Sequence, residues 1–121
     1  MSKKILVVDD EKGIRELFAD VLRRAGHTVV TAPDGLAGIE MTRSGDIDIA
    51  FLDIKMPGLN GVETLKEVRG TSPRTKIVMI TGYARDELVN EALRMDVFAC
   101  LAKPFSVRDV VEMVRLLSEA P

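Results

Sequence analysis

The sequence is poor in cysteine and in aromatic side chains. Its 121 residues include one cysteine, one tyrosine and no tryptophan. Cys100 has no second cysteine with which to form an internal disulfide, and no cysteine pair suggests a thiolate metal site or a redox dithiol. This usage is typical of a reducing compartment inside the cell. We therefore predict a cytoplasmic location.

Excess positive charge and long hydrophobic runs are also missing. Lysine and arginine together number 17 against 19 aspartates and glutamates, for a net charge of −2 at pH 7. No surplus of cations is present to neutralise a phosphate backbone, so we expect no direct binding to nucleic acid. The apolar run at residues 5–8 is too short for the core of a signal peptide, and no run approaches a membrane span. We therefore expect no association with a membrane.

The sequence does contain enough apolar material for one globular core. Hydrophobic residues make up 46% of the chain and charged residues 30%, which argues against disorder. The length suits one domain of roughly 100 to 150 residues. We therefore predict a single domain over residues 1–121, without a second catalytic or DNA-binding domain.

Short apolar runs alternate with longer amphipathic stretches along the chain. Residues 5–8, 49–52 and 77–80 form continuous runs typical of strands buried on both faces, and the weaker runs 28–31 and 99–102 suit edge strands. Apolar spacing predicts a first helix from about Ile14 that Gly26 ends, and further helices over 35–43, 61–69, 85–95 and 107–118. In the helix over 85–95, we expect Leu88, Ala92 and Leu93 to face inward.

This order of elements predicts an α/β fold with a doubly wound, five-stranded parallel sheet and helices on both faces. Ligands of such sheets bind at the carboxyl ends of the strands. Five polar residues stand at these ends: Asp9, Asp10, Asp53, Thr81 and Lys103. An isolated aspartate there would be explained as a helix cap. Carboxylates about 4 Å apart repel by about 4 kcal/mol at an effective dielectric near 20, so three of them favour a hard divalent ion such as Mg²⁺.

Asp53 is the best candidate for a nucleophile among these carboxylates. It leads into residues 54–61, whose proline and two glycines keep the backbone beside it open. Attack of a carboxylate on a phosphoryl group forms an acyl phosphate, and Thr81 and Lys103 suit the binding of phosphoryl oxygens. The bond before Pro104 is a candidate for a cis peptide, because an X-Pro bond prefers trans by only about 0.5 to 1 kcal/mol. The pattern indicates metal-assisted phosphoryl transfer.

Four separated motifs resemble those of the receiver domain of two-component response regulators. They are ILVVDDE at 5–11, LDIKMPG at 52–58 with Gly61, ITG at 80–82 and AKPF at 102–105. The resemblance covers essentially the whole chain. It implies a flavodoxin-like sheet with strand order 2-1-3-4-5 and five helices, and a protein that takes a phosphoryl group from a phosphohistidine of a sensor histidine kinase or histidine phosphotransferase.

The resemblance also implies a metal site with assigned ligands. Asp53 matches the phosphoacceptor, and Asp10 and Asp53 match the direct ligands of Mg²⁺, or of Mn²⁺ in its place. Asp9 matches the acid that holds the metal through water, and the backbone carbonyl of Lys55 matches the third protein ligand. Phosphoryl transfer in this family therefore depends on the metal.

Further positions imply a switch and its tuning. Thr81 and Lys103 match the residues that hold the phosphoryl oxygens, and in the family the new charge draws the threonine inward and biases a protein-interaction surface around the fourth helix, fourth strand and fifth helix. Receivers commonly carry Tyr or Phe where Cys100 stands, so we expect no aromatic switch there. Tyr83 and Lys55 border the phosphoryl group in the family and influence how fast water removes it.

Several interpretations of the function stay open. Lys55, Tyr83 and the helix start at 13–15 resemble stand-alone receivers of sporulation-type phosphorelays, whereas the alternative is a receiver excised from a larger transcriptional regulator or hybrid histidine kinase. A receiver that only binds partners is less favoured, because every phosphotransfer residue is present. A Mg²⁺ phosphatase with an aspartyl nucleophile would need an aspartate in place of Lys55.

The expected protein is a signalling phosphoacceptor and not an enzyme. Its own chemistry would be limited to self-phosphorylation and autodephosphorylation. We expect a monomer or a weak dimer whose output runs through a downstream protein target or a missing effector domain.

Overall fold

The computed structural model describes residues 2–82 and 87–119, which form alternating strands and helices. The strands are β1 (Lys4–Val8), β2 (Thr28–Ala32), β3 (Ile49–Asp53), β4 (Lys76–Thr81) and β5 (Ala99–Ala102). The helices are α1 (Lys12–Arg24), α2 (Gly35–Thr42), α3 (Gly61–Thr71), α4 (Glu87–Leu93) and α5 (Val107–Glu119).

The five strands pair in parallel in the order β2-β1-β3-β4-β5. This order confirms the predicted fold class and places the two weaker runs, β2 and β5, at the edges of the sheet. Val8 lies opposite Leu52, and Asp53 lies opposite Ile80. The carboxyl ends of β1, β3 and β4 therefore meet along one edge, which is where a doubly wound sheet binds its ligands.

The sheet separates two hydrophobic layers, and successive residues of β1 point into different ones. Leu6 and Val8 belong to the layer that contains Ile39 and Leu65, from α2 and α3. Ile5 and Val7 belong to the other layer, with residues of α1 and α5 such as Phe18, Leu22, Val110 and Val114. Burial on both faces explains why the central strands are continuous apolar runs.

The helices agree with the predicted positions within a few residues at most ends. Helix α1 ends at Arg24, and Gly26 follows with a φ of 95°, a conformation in which glycine meets no steric penalty. The inward orientation expected for Leu93 is wrong, because its side chain is 54% exposed. Leu93 is the last residue of α4, and the helix instead buries Val89 and Ala92 against the sheet.

No helix within the described ranges is long and apolar enough to cross a lipid bilayer.

Candidate functional site

The structure brings together the three aspartates that the sequence places at strand ends. Asp53 is the last residue of β3, and Asp9 and Asp10 directly follow β1. One carboxylate oxygen from each residue lies within 4.8 Å of the other two. Asp9 is 0% exposed and Asp53 is 4% exposed, whereas Asp10 is open to solvent. Asp9 and Asp53 are therefore buried at the edge of the sheet, and Asp10 faces the solvent.

Burial makes the ionised form of this cluster costly. It raises the pKa of Asp53 to about 6, and the neighbouring Asp9 carboxylate adds to the rise while the Lys103 ammonium opposes it. Burial likewise raises the pKa of Asp9, against a backbone hydrogen bond that favours its charged form. Carboxylates this close titrate as a group. Binding of a proton or a cation at this site would therefore relieve the unfavourable negative charge.

Lys103 supplies a positive charge beside the phosphoacceptor candidate. Its Nζ lies 3.8 Å from Asp53 Oδ2 and 3.6 Å from Glu11 Oε1. Burial lowers the pKa of the ammonium, but the charges of Asp53, Asp9 and Glu11 outweigh it and leave the pKa raised. The lysine therefore stays protonated at any physiological pH.

The backbone fixes Lys103 next to Thr81. The N–H of Lys103 donates to the carbonyl of Thr81 at 2.7 Å, and the peptide bond between Lys103 and Pro104 is cis. Thr81 ends β4 and is buried at this edge of the sheet. A hydroxyl and an ammonium therefore lie at adjacent strand ends, and both groups can donate hydrogen bonds to an oxyanion.

The loop after Asp53 is closed by its own hydrogen bonds. The N–H of Gly61 donates to the carbonyl of Ile54 at 2.8 Å, and Asn60 caps α3 through a reciprocal capping box with Glu63. A backbone hydrogen bond at Lys55 favours the charged form of Asp53, and the Lys55 side chain is exposed. The loop thereby holds the end of β3 in place and presents Lys55 at its rim.

The cluster has the donor set of a site for a hard cation. All of its candidate ligands are carboxylate oxygens, the type that Mg²⁺ prefers. The buried Oδ2 of Asp9 has no hydrogen-bond partner, whereas its Oδ1 accepts the N–H of Glu11 at 2.9 Å. An orphaned buried carboxylate oxygen is costly unless something charged or polar meets it. Asp9, Asp10 and Asp53 therefore fit a divalent ion.

Cys100, one of the residues singled out from the sequence, lies apart from this cluster. Cys100 is half-buried in β5 and packs against the α2 and α3 side of the core, where burial raises the pKa of its thiol. Tyr83 lies outside the described residues. Glu11, in contrast, was not predicted as a site residue although it contacts Lys103. Its position directly after two aspartates is the signal that could have identified it.

Comparison with known proteins identifies the family. The family model for the response regulator receiver domain matches residues 5–115. The chain belongs to the response regulator receiver family. The receiver domain is a signalling domain and not a classical enzyme, and its phospho-accepting role follows from the same relationship.

Curated relatives include both short and long response regulators. Sporulation initiation phosphotransferase F of Bacillus subtilis is 30% identical over 115 residues, which span 95% of this chain and 93% of that protein. The chemotaxis protein CheY of Thermotoga maritima is 31% identical, over 98% of this chain and 100% of that protein. The regulatory protein PhoP of Bacillus subtilis is 37% identical over 97% of this chain, which matches 49% of PhoP.

Solved structures agree with the fold. A CheY-like receiver domain from Methanospirillum hungatei superposes with a TM-score of 0.91 at 31% identity, covering 98% of this chain and 96% of that one. NtrX from Brucella abortus superposes with a TM-score of 0.90 at 32% identity, but the match covers only 27% of NtrX. Receiver domains interact with histidine kinases or phosphotransferases and with effector domains. They bind Mg²⁺ at an acidic pocket of the kind that the three aspartates form here.

Proposed function

We propose that Asp53 is the phosphoacceptor of this receiver domain and that it takes the phosphoryl group from a phosphohistidine of a sensor histidine kinase or histidine phosphotransferase. The observation that carries the proposal is the position of Asp53. Its carboxylate ends β3, lies within 4.8 Å of those of Asp9 and Asp10, and contacts Lys103 at 3.8 Å.

The chemistry follows from these groups. A carboxylate oxygen of Asp53 forms a bond to phosphorus while the P–N bond of the phosphohistidine breaks. The imidazole nitrogen leaves with the bonding electron pair and takes up a proton. Lys103 and Thr81 meet the phosphoryl oxygens on the side of β4 and β5, so charge that develops during the transfer faces an ammonium and a hydroxyl. The same groups serve self-phosphorylation from small donors. They also serve dephosphorylation, in which water attacks the phosphorus and the Asp53 carboxylate leaves with the electron pair of the broken P–O bond.

We assign the metal to the same edge. Asp10 and Asp53 would bind Mg²⁺ directly, Asp9 would hold it through water, and the backbone carbonyl of Lys55 would complete the protein ligands. When bound, Mg²⁺ offsets the charge of the carboxylates and of the phosphoryl oxygens. Two observations support this assignment: Asp9 Oδ2 has no hydrogen-bond partner, and the pKa of Asp53 is raised. Both show that the negative charge of the carboxylates is incompletely compensated.

Phosphorylation of the intact chain tests the proposal. With Mg²⁺ and acetyl phosphate, the wild type should gain the mass of one phosphoryl group, and the gain should disappear on treatment with hydroxylamine, which cleaves acyl phosphates. Asp53→Asn, and the wild type in excess EDTA, should gain none. Intact-protein mass spectrometry reads each case. An equal mass gain in Asp53→Asn and the wild type would exclude Asp53 as the acceptor.

The response is proposed to reach a surface built from α4, β4 and α5. The phosphoryl group would draw the Thr81 hydroxyl toward it, and Thr81 ends β4. An apolar side chain exposed at the end of α4, that of Leu93, supports an interaction surface there. Because Cys100 replaces the usual aromatic residue, the switch would operate without a ring that swings inward. Lys55 and Tyr83 are proposed to tune the lifetime of the phosphorylated state.

The stand-alone phosphorelay role is favoured over the alternatives. Sporulation initiation phosphotransferase F and CheY match along almost their whole lengths, which supports one receiver domain over residues 1–121 that acts on a separate protein. PhoP, matched over about half of its length, represents the alternative of a receiver within a larger regulator. A cytoplasmic location and a monomer or weak dimer fit the phosphorelay role. An aspartyl-nucleophile phosphatase is not favoured, since Lys55 stands where its acid would be.

A further inference from the structure

Glu11 stands at the beginning of α1, but its side chain does not serve the helix. It is the N-cap residue of α1, and its carboxylate makes no capping hydrogen bond. Its backbone N–H donates to Asp9 Oδ1 at 2.9 Å, which ties the residue to the acidic cluster. The side chain is 62% exposed, and its Oε1 lies 3.6 Å from Lys103 Nζ. Its contact is therefore with the lysine of the site, across the gap between the ends of β1 and β5.

Lys103 is consequently shared between two carboxylates. Its Nζ lies at nearly equal distances from Glu11 Oε1, 3.6 Å, and Asp53 Oδ2, 3.8 Å. Neither distance is that of a short, direct hydrogen bond. The ammonium is held between the two groups, and the charge of Glu11 adds to that of Asp9, Asp10 and Asp53 at the mouth of the site. A phosphodonor that approaches Asp53 meets this negative charge first.

We propose that Glu11 is a positioning residue for phosphoryl transfer: it holds Lys103 between its own carboxylate and that of Asp53, and it slows phosphorylation by anionic donors. The inference rests on the proposed role of Asp53. As the phosphoryl group arrives, Lys103 moves from Glu11 to the phosphoryl oxygens. With acetyl phosphate, the Asp53 oxygen bonds to phosphorus, and acetate leaves with the electron pair of the broken P–O bond. Glu11 exchanges neither atom nor proton.

The substitution Glu11→Gln keeps the shape of the side chain and removes its charge. At saturating Mg²⁺, we expect the rate constant for phosphorylation by acetyl phosphate to increase about threefold to tenfold, because the repulsion between Glu11 and the anionic donor is lost and Lys103 is released. The increase should shrink as salt is added, because exposed charges are screened. It should also be smaller with phosphoramidate, a donor with less negative charge. A purely structural role for Glu11 would produce neither dependence.

Glu16→Gln is the matched control. Glu16 is an exposed acid on the same helix, and its Oε1 also lies 3.6 Å from a lysine Nζ, that of Lys12. Lys12 is not part of the site, so Glu16→Gln should keep the wild-type rate constant and the same salt dependence. If Glu11→Gln and Glu16→Gln react at the same rate, the proposal is wrong.

Glu11→Asp separates positioning from charge. Aspartate is a strong N-cap residue and is shorter by one methylene, so its carboxylate should turn to the backbone N–H groups of α1 and leave Lys103. The charge is kept, yet we expect part of the increase seen in Glu11→Gln. If Glu11→Asp is phosphorylated at the wild-type rate while Glu11→Gln is faster, Glu11 acts only through its negative charge. That result would overturn its positioning role.

Mg²⁺ affinity keeps this inference distinct from the proposed function. Without any donor, Glu11→Gln should raise the dissociation constant for Mg²⁺ about twofold to threefold, because a nearby negative charge is lost and Lys103 turns toward Asp53. Glu16→Gln should leave it unchanged. If the wild type gains no phosphoryl group, the role of Asp53 is overturned. Independently of that result, equal Mg²⁺ affinities in Glu11→Gln and Glu16→Gln would overturn the role of Glu11.

Discussion

A buried carboxylate whose pKa is raised makes the stability of a protein fall as the pH rises. Asp53 has a pKa of about 6 in the folded chain against an ordinary value of 3.8. Between these values, the folded state holds a proton that the unfolded state has released. The free energy of unfolding therefore decreases from about pH 4 to pH 6, and above pH 6 the full cost is present. At 1.36 kcal/mol per pKa unit, this cost is at most about 3 kcal/mol.

Asp53→Asn should consequently stabilise the metal-free protein. At pH 7.5, we expect its free energy of unfolding to exceed that of the wild type by about 1 to 3 kcal/mol, because the uncharged amide escapes the penalty of burial. Near pH 4, the difference should be small, since Asp53 itself is then mostly protonated. Urea unfolding in EDTA at several pH values measures the effect.

Asp20→Asn is the control for the loss of one charge. Asp20 is exposed and forms an ion pair with Arg24, four residues further along α1. Its substitution should change stability by less than about 0.5 kcal/mol and without the same pH dependence. A stability difference for Asp53→Asn that is equal at pH 4 and pH 7.5 would argue against a raised pKa.

At the scale of elements, α3 sits directly against the end of β3. A Cβ atom placed on Gly61 would lie 2.6 Å from Ile54 Cα and 2.9 Å from the carbonyl carbon of Asp53. These are backbone atoms, which cannot turn aside as a long side chain can. Gly61 therefore sets how closely the first turn of the helix approaches the strand that carries Asp53.

Gly61→Ala should destabilise the protein by about 1 to 3 kcal/mol, the usual cost of overpacking, and weaken Mg²⁺ binding by displacing the Asp53 carboxylate. Gly70→Ala is the matched control in the same helix, because a Cβ atom there meets nothing within 4 Å. It should raise stability by up to about 1 kcal/mol, since alanine is the better helix former. Thermal unfolding measures the change in stability of both variants, and Mg²⁺ titration measures the change in their metal affinity. Equal effects at the two positions would refute the role assigned to close packing.

The elements that the sequence predicts best are those with a single dominant signal. The central strands β1, β3 and β4 are continuous apolar runs, and a sheet covered on both faces is the arrangement that buries them. Helix α4 has a weaker signal, because Ala92 and Leu93 are adjacent and lie about 100° apart around a helix. The sequence does not say which of the two faces the sheet. Packing decides in favour of Ala92 and leaves Leu93 exposed.

At the scale of the whole molecule, stability should be distributed unevenly across the sheet. The central strand β3 is buried throughout, whereas three of the four residues of the edge strand β5 are half-buried or exposed. Strands with few buried contacts open at lower free energy than the core. Lys103 directly follows β5, so the lysine of the site is attached to one of the less stable parts of the sheet.

Native-state hydrogen exchange should therefore find the slowest amides in β1, β3 and β4. The amides of β5 and α4 should exchange through smaller openings, faster by about tenfold or more, which corresponds to at least about 1.4 kcal/mol. NMR-detected exchange at a pH where the wild type is stable makes the comparison. If β5 amides are protected as strongly as those of β3, the domain opens as one unit and this distribution is wrong.

The whole-molecule arrangement also explains why part of the site was predictable. Strand ends of a parallel sheet share one edge, so the convergence of Asp9, Asp10 and Asp53 follows from element order. The pairing of Glu11 with Lys103 does not, because their separation depends on the paths of two loops at opposite ends of the chain. For the same reason, the sequence could not show that Asp9 Oδ2 is left without a hydrogen-bond partner.

Successive residues of β1 point into two different hydrophobic layers. This alternation constrains the number of residues in the strand more tightly than it constrains which aliphatic residues the strand contains. Leu6 and Val8 fill one layer, and Ile5 and Val7 fill the other. Exchanging one aliphatic residue for another changes the packing around that one position. Deleting one residue would send every following side chain of the strand into the opposite layer and draw Asp9 into the sheet. Within this family, natural variants of β1 should therefore differ in which aliphatic residues they carry, and insertions or deletions should fall in the loops.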